Sequence, residues 1–334
     1  MKKNILFCGT PKFAVTSLHA LFKYQFSLGY NLLGVITIRD KIANRGKKLH
    51  ESAIKKEAKN LKLKVYEPDD LSGVDFINEI KKLNLDLIVV VAFKKLPKVL
   101  FEIPKIGTIN IHGSLLPKYR GASPINHALL NDEKETGLTT FFINENIDTG
   151  DIIKQSKIEI DEEWHVDDLH DHLMNMSKDI LKDTIKTVFS KSYATSKQTE
   201  IIDQKTKYAP KIKKINYIIN PLFWKKELRE IYNFIRGMSP PGIKTQLFIK
   251  IDNNEAIKKN IIITRISTYT KLHQPQLTHA DIHKTGNQII VRNNVGFFII
   301  EKIKIENKKE FRSHEFINGF LKKKNKKTTI SFYN

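Results

Sequence analysis

The sequence predicts a doubly wound α/β domain followed by a small antiparallel β-barrel of the OB type. Three patterns carry this. Over roughly the first 110 residues, short apolar runs of the kind buried parallel strands need alternate with segments of helical period. Between 243 and 305 the pattern changes to short alternating segments separated by polar turns. Between these regions, Ser190–Lys207 is polar, aperiodic and rich in Ser, Thr, Lys and Gln, which is linker composition. A chain of 334 residues is long enough for two domains. The boundaries are expected at 1–190, 191–210 and 211–334, the last part ending in a basic tail.

The elements follow in order. Lys3 to Cys8 reads as a strand stopped by Gly9-Thr10-Pro11, with Thr10 before Pro11 as a helix entry. Phe13, Leu18 and Leu21 set a helix over 13–22. Leu32–Thr37 is a second strand. Arg39–Lys48 contains Gly46 and little apolar content, so a mobile surface loop is expected there. A helix at Ser52–Leu61, a strand at Val65-Tyr66 and a helix at Phe76–Leu83 lead into Asp86–Ala92, a β-branched run suited to a buried parallel strand. No Gly-x-Gly-x-x-Gly follows the first strand, so dinucleotide binding is not supported. Leu169, Leu173, Met176, Ile180, Leu181, Ile185 and Val188 share one face of a helix over 166–189. A helix at Lys225–Arg236 and a turn at Ser239–Gly242 precede the strands Ile243–Ile251, Ile261–Ile266, Gln288–Val291 and Gly296–Ile305. A helix near Arg312–Leu321 runs into the basic stretch Lys322–Lys327.

Composition excludes several classes. No apolar run approaches the ~20 residues of a membrane span. The first apolar run is broken after four residues, too short for a signal peptide core, so a cytoplasmic protein is expected. The single cysteine, Cys8, rules out an intramolecular disulfide and a cysteine metal cluster. The net charge is +21, and 49 of the 57 basic residues are lysine, a bias that an AT-rich genome can produce. Mutational bias does not explain its distribution. Residues 1–200 carry +4 and residues 201–334 carry +17, and a second cluster at 39–64 carries +7. Such asymmetry points to a polyanion partner for the C-terminal part.

The densest chemistry lies in 104–151. Asn110 and His112 are two apart, so a strand places them on one side. A polar pair in an apolar sheet is costly unless satisfied or used. A lone strand histidine is more often structural, but the pair is followed by Gly113 and a proline-bearing loop. Asp148, in the turn Asn146–Asp151, either caps that turn or stands beside the histidine. No Cys or Ser nucleophile is adjacent. The trio fits transfer to an incoming amine, with Asn110 donating to a developing oxyanion, His112 shuttling a proton and Asp148 tuning and orienting it. The sequence offers no compact metal-ligand set.

Five stretches appear in order: Phe7-Cys8-Gly9-Thr10-Pro11-Lys12-Phe13-Ala14, Arg45-Gly46-Lys47-Lys48-Leu49, Asn110 through Ile125, Glu135-Thr136-Gly137, and Asp148-Thr149-Gly150-Asp151. Together they resemble the methionyl-tRNA formyltransferase family, densely over 1–151 and more thinly afterwards, where Tyr208-Ala209-Pro210-Lys211-Ile212 marks entry to the second domain. The Asn-x-His and Asp-Thr-Gly elements are shared by all formyltransferases that use 10-formyltetrahydrofolate. The Arg45–Lys48 stretch and the basic second domain favour the tRNA enzyme.

The resemblance implies a Rossmann-like formyltransferase domain and an OB-like tRNA-binding domain. It implies Asn110, His112 and Asp148 as catalytic residues, Ser114, Leu115, Leu116 and Pro117 lining the folate pocket, and a tRNA-binding loop with Arg39, Lys41, Arg45, Lys47 and Lys48. The expected reaction moves a formyl group from 10-formyltetrahydrofolate, without a metal, to the α-amine of methionyl initiator tRNA. A monomer with no membrane partner is expected. The alternative is a formyltransferase of the same catalytic fold acting on a small-molecule amine. One departure from the family pattern is Ala92-Phe93-Lys94-Lys95-Leu96-Pro97, which is shorter and more basic than its common apolar version.

Overall fold

Lys3–Gly9 forms β1, and its last five residues are fully enclosed. It leads into α1 (Phe13–Tyr24), β2 (Tyr30–Ile36), the short β3 (Lys41–Ala43) and β4 (Lys48–His50), α2 (Ala53–Asn60), β5 (Lys64–Tyr66) and α3 (Val74–Lys81). Next come β6 (Leu87–Val91), α4 (Lys98–Phe101), β7 (Gly107–His112), β8 (Arg120–Gly121), α5 (Pro124–Leu130), β9 (Glu135–Phe142), β10 (Ile152–Glu159), α6 (Val166–Phe189) and β11 (Tyr208–Ala209). In this computed structural model the described residues are 2–43, 48–190, 192–198, 206–252, 254–272, 279–322 and 327–333. The chain divides into two units. One comprises Met1–Pro124, Glu135–Ile158 and His170–Pro210, the other Ile125–Lys134, Glu159–Leu169 and Lys211–Asn334.

The first unit is built on a seven-stranded sheet of order β10-β9-β7-β6-β1-β2-β5. β5, β2, β1, β6 and β7 are parallel, and β9 runs antiparallel to β7 with His112 opposite Thr139. The continuous run Leu87–Val91 is buried throughout, as a central parallel strand with both faces covered requires. Ser52 caps α2, its hydroxyl accepting from the N–H of Lys55. The stretch expected to be a mobile loop, Arg39–Lys48, is in part a hairpin. β3 and β4 pair with Ile42 opposite Leu49, which satisfies the backbone groups that face each other across the ribbon, and 44–47 lie outside the described residues.

The expected linker also differs. Ser196 pairs with Ile152, and β11 pairs with β8, so both described ends of 192–210 are stitched to the first unit by backbone hydrogen bonds. Linker composition was misleading because the bonds are made by main chain, which composition does not encode.

The second unit adds α7 (Leu228–Gly237), β12 (Ile243–Ile251), β13 (Ile257–Lys271), β14 (Asp281–Thr285), β15 (Gln288–Asn293), β16 (Gly296–Ile305), β17 (Glu310–Arg312), α8 (Ser313–Phe316) and β18 (Thr328–Ser331). The expected helix at 225–236 begins later, because Asn220 and Pro221 first start a separate 3₁₀ turn over Pro221–Lys225. The sheet runs β14-β15-β16-β13-β12-β18, with β17 pairing β16. It turns back on itself. Asp281, opening β14, accepts from the Ser331 hydroxyl (2.7 Å) and the Phe332 N–H (2.7 Å) at the end of β18. This is the nearly closed antiparallel barrel that the alternating pattern anticipated. The strand after the basic stretch was not anticipated. Inside, Trp224 stacks on Phe332 with ring centroids 3.6 Å apart.

His165 is fully enclosed in this unit. Its Nδ1–H donates to the Glu163 carbonyl (3.1 Å), and its Nε2 accepts from the Ile266 N–H (3.2 Å). Both nitrogens are used by the neutral ring. Burial, then Arg265, lower its pKa from 6.5 to about 4, with Arg236 acting in the same sense and Asp168 opposing. Below about 6.5 the unfolded chain takes up a proton that the folded one refuses until about 4, so folding stability falls on acidification across that window. Up to about 3 kcal/mol of this loss should vanish in His165→Gln. Urea unfolding at pH 7 and pH 4, followed by the fluorescence of Trp164 and Trp224, measures the difference.

Candidate active site

β7 carries Asn110 and His112 on one side, at the carboxyl end of a parallel run where open α/β sheets present their sites. Asn110 is half-buried, and its side chain makes no hydrogen bond among the described residues. His112 is buried, and its Nε2 lies 2.8 Å from the Tyr119 carbonyl oxygen. A carbonyl only accepts, so Nε2 carries the proton there, and in the neutral ring the lone pair is on Nδ1. The Asp148 carboxylate oxygen Oδ2 lies 3.7 Å from Nδ1 and accepts from the Gly121 N–H at 2.9 Å. His112 and Asp148 therefore lie side by side, with Asn110 two residues before His112 on the same strand, and Asp148 both holds a backbone N–H and flanks the imidazole.

Two residues take left-handed backbone here, Tyr119 (φ 61°) and Asp148 (φ 54°). Such positions persist where surrounding contacts over-determine them. Tyr119 is fixed through its N–H, which donates to the Lys207 carbonyl at 2.6 Å. Gly121, at φ 122°, approaches β11 so closely that a Cβ would lie 2.5 Å from the Ala209 carbonyl oxygen. Only glycine fits.

The loop Ser114–Pro117 is held from below by Thr139. Its hydroxyl donates to the Ser114 carbonyl (2.7 Å) and accepts from the Leu116 N–H (3.0 Å) and from Gln155 Nε2 (3.0 Å), while Gln155 Nε2 also donates to the Leu116 carbonyl (2.8 Å). The Ser114 hydroxyl is engaged by the Lys118 carbonyl, and Leu116 packs with Phe141 and Ile152. Leu115 is half-buried, whereas Ser114, Leu116 and Pro117 are enclosed.

Of the basic loop, Arg39 donates to the Glu67 carbonyl and pairs with Asp69 at 2.6 Å. Lys41 and Lys48 fall in β3 and β4, their side chains outside the described set, and Arg45 and Lys47 lie outside the described residues.

Cys8 is enclosed, and burial pushes its thiol well up. No group of three or more His, Cys, Asp or Glu among the described residues is arranged to hold a metal ion. No helix among them is long and apolar enough to cross a membrane.

A profile described as formyl transferase matches residues 1–185, and one described as formyl transferase, C-terminal domain, matches 211–321. The methionyl-tRNA formyltransferase of Flavobacterium johnsoniae is 39% identical over 318 residues, covering 95% of this chain and 96% of its own. That of Clostridioides difficile is 38% identical over 318 residues, with the same coverage. The chain belongs to the methionyl-tRNA formyltransferase family. Among solved structures, an N-formyltransferase from Helicobacter canadensis, in complex with folinic acid and dTDP-3-aminofucose, aligns with a TM-score of 0.62 at 23% identity. It covers 93% of this chain and 100% of its own. At that identity the likeness is one of fold.

For this formyltransferase, sequence reasoning missed Thr139, Gln155 and Gln198. Thr139 falls in an apolar strand and Gln155 in an alternating one, and neither pattern marks a residue bonded to a loop. Thr139→Val keeps the shape and removes all three hydrogen bonds to Ser114, Leu116 and Gln155. It should cost about 2 kcal/mol of stability by leaving buried partners unpaired, and turnover should fall with it. Denaturant unfolding beside steady-state kinetics checks both.

Proposed function

We infer that this protein transfers a formyl group to the α-amine of methionyl initiator tRNA, with 10-formyltetrahydrofolate as the donor and Asn110, His112 and Asp148 as the catalytic groups. The observation that supports this most is the pairing of His112 with Asp148, with Asn110 two residues away on the same strand, in a chain whose relatives at 34–39% identity bear that enzyme's name along nearly their whole length.

The residues present fit the donor. Asn110 offers an unengaged amide on the same strand face as His112, and the neighbouring loop 114–117 is a held, largely apolar wall. When bound, 10-formyltetrahydrofolate supplies the formyl carbon and the nitrogen that leaves it. The amine forms a new C–N bond to that carbon, the old C–N bond breaks, and one proton passes from the amine to the leaving nitrogen. The Asn110 amide donates to the formyl oxygen as it gains negative charge, a role in which one donor is worth roughly 3–4 kcal/mol. His112 Nδ1 is the atom suited to carry the proton, since Nε2 is committed to Tyr119. The Asp148 carboxylate, 3.7 Å away, offsets the positive charge that the ring acquires in transit.

The tRNA is held by phosphate contacts to the basic second unit, and Arg45, Lys47 and Lys48 of the basic stretch 39–48 approach its acceptor end. The likeness to sugar formyltransferases is one of fold, and a small-amine acceptor gives no use to the +17 of residues 201–334.

Transfer from 10-formyltetrahydrofolate should occur to Met-charged initiator tRNA and not to Met-charged elongator tRNA. Transfer only to a small amine would reject the reading. His112→Ala should lower kcat by about 10³-fold with tRNA affinity nearly unchanged. A near-normal kcat would remove His112 from the mechanism. Alanine at Arg45, Lys47 and Lys48 together should reduce formylation at limiting tRNA and make binding less steep in salt.

A further inference from the structure

Gln198 lies in the segment whose composition reads as linker, yet it is 1% exposed. Both ends of its amide are used. Oε1 accepts from Arg120 Nε (2.9 Å) and Nη2 (2.7 Å). Nε2 donates to the carbonyls of Asp148 (3.1 Å) and Gly150 (2.7 Å). Arg120 is itself buried. It stands between Tyr119, whose carbonyl fixes His112, and Gly121, whose N–H holds the Asp148 carboxylate. One amide thus ties the loop that fixes the imidazole to the loop that presents the carboxylate. Two residues before it, Ser196 exchanges both backbone hydrogen bonds with Ile152 at 2.9 Å, which anchors this stretch beside the same loop.

We propose that Gln198 is a positioning residue for formyl transfer: its donors clamp the left-handed Asp148 backbone and its acceptor anchors that clamp on Arg120, fixing the carboxylate at its distance from His112. The proposal rests on the reading of Asp148 as a catalytic group. A misplacement of about 1 Å at a reacting centre is enough for a hundred-fold loss of rate. Asp148 keeps its other tether, the Gly121 N–H, so loss of the clamp loosens the carboxylate and does not expel it.

The test compares Gln198→Leu, Gln198→Glu, Asp148→Asn and the double variant Gln198→Leu/Asp148→Asn in transfer to Met-charged initiator tRNA, with thermal melts of each. Gln198→Glu keeps an acceptor for Arg120 and removes both donors, so it retains the buried pairing if Gln198→Leu folds poorly. Both Gln198 variants should lose about ten- to a hundred-fold in kcat, with KM for 10-formyltetrahydrofolate and for tRNA within about two-fold. The double variant should be no slower than Asp148→Asn alone, because the clamp acts through Asp148. Wild-type kcat in Gln198→Glu, or a double variant slower by the full factor seen for Gln198→Leu, overturns the clamp while leaving Asp148 in its role. Wild-type kcat in Asp148→Asn removes that role itself, and the clamp's purpose with it.

Discussion

The carbonyl of Tyr119 decides which nitrogen of a neutral His112 keeps its lone pair, and the rest of the candidate site is arranged around that hydrogen bond. An imidazole free to choose its tautomer presents a lone pair on either side. With Nε2–H committed at 2.8 Å, the lone pair of the neutral ring is confined to Nδ1, the side on which Asp148 stands. The carbonyl can be aimed this way only because Tyr119 takes left-handed backbone, and that backbone is fixed by the Lys207 carbonyl on its N–H. Gly121, two residues on, must come close to Ala209 for β8 and β11 to pair. The placement of one proton therefore depends on a chain segment nearly 90 residues downstream.

This explains which parts were legible in sequence. The α/β and barrel architecture could be read because apolar period reports burial, as in Leu87–Val91 and Gly296–Ile305, whose inward positions are the buried ones. Asn110, His112 and Asp148 could be read because polar chemistry in an apolar strand and a short acidic turn is out of place locally. What holds them was not legible. The Lys207 and Ala209 contacts are main chain to main chain, and a backbone hydrogen bond leaves no residue preference behind unless, as at Gly121, a side chain would collide. Gln198 is a further case. A polar residue among Ser, Thr and Lys looks solvated, and only the fold shows it enclosed. The hairpin at β3–β4 was missed for a related reason, since three-residue strands are too short to express a period.

Charge counted along the sequence also differs from charge in space. The +7 cluster at 39–64 is partly offset by acids outside that window. Arg39 pairs with Asp69, Lys64 with Glu79, and Lys55 with Glu67 at 2.9 Å. Within the window, Lys55 also pairs with Asp40 at 2.7 Å, and Lys59 with Glu51. The exposed pairs are worth little individually. Lys55 differs, being mostly enclosed, with Asp40 and then Glu67 holding its ammonium above the usual lysine range. Together with the Thr37–Ser52 hydroxyl contact at 2.8 Å, these bonds close the base of the hairpin.

A stem fastened in this way has a consequence for the proposed tRNA contact. Cations already matched by carboxylates release few counterions when a phosphate approaches, so they add little to affinity. Arg39, though counted with the basic loop in sequence, belongs with the stem, where it joins the chain entering the hairpin to the end of β5. The proposed contact thereby loses Arg39 and keeps Lys41, Arg45, Lys47 and Lys48. The stem's contribution is to hold the start of β3 and the end of β4 at fixed points, which lowers the conformational entropy lost when the acceptor binds.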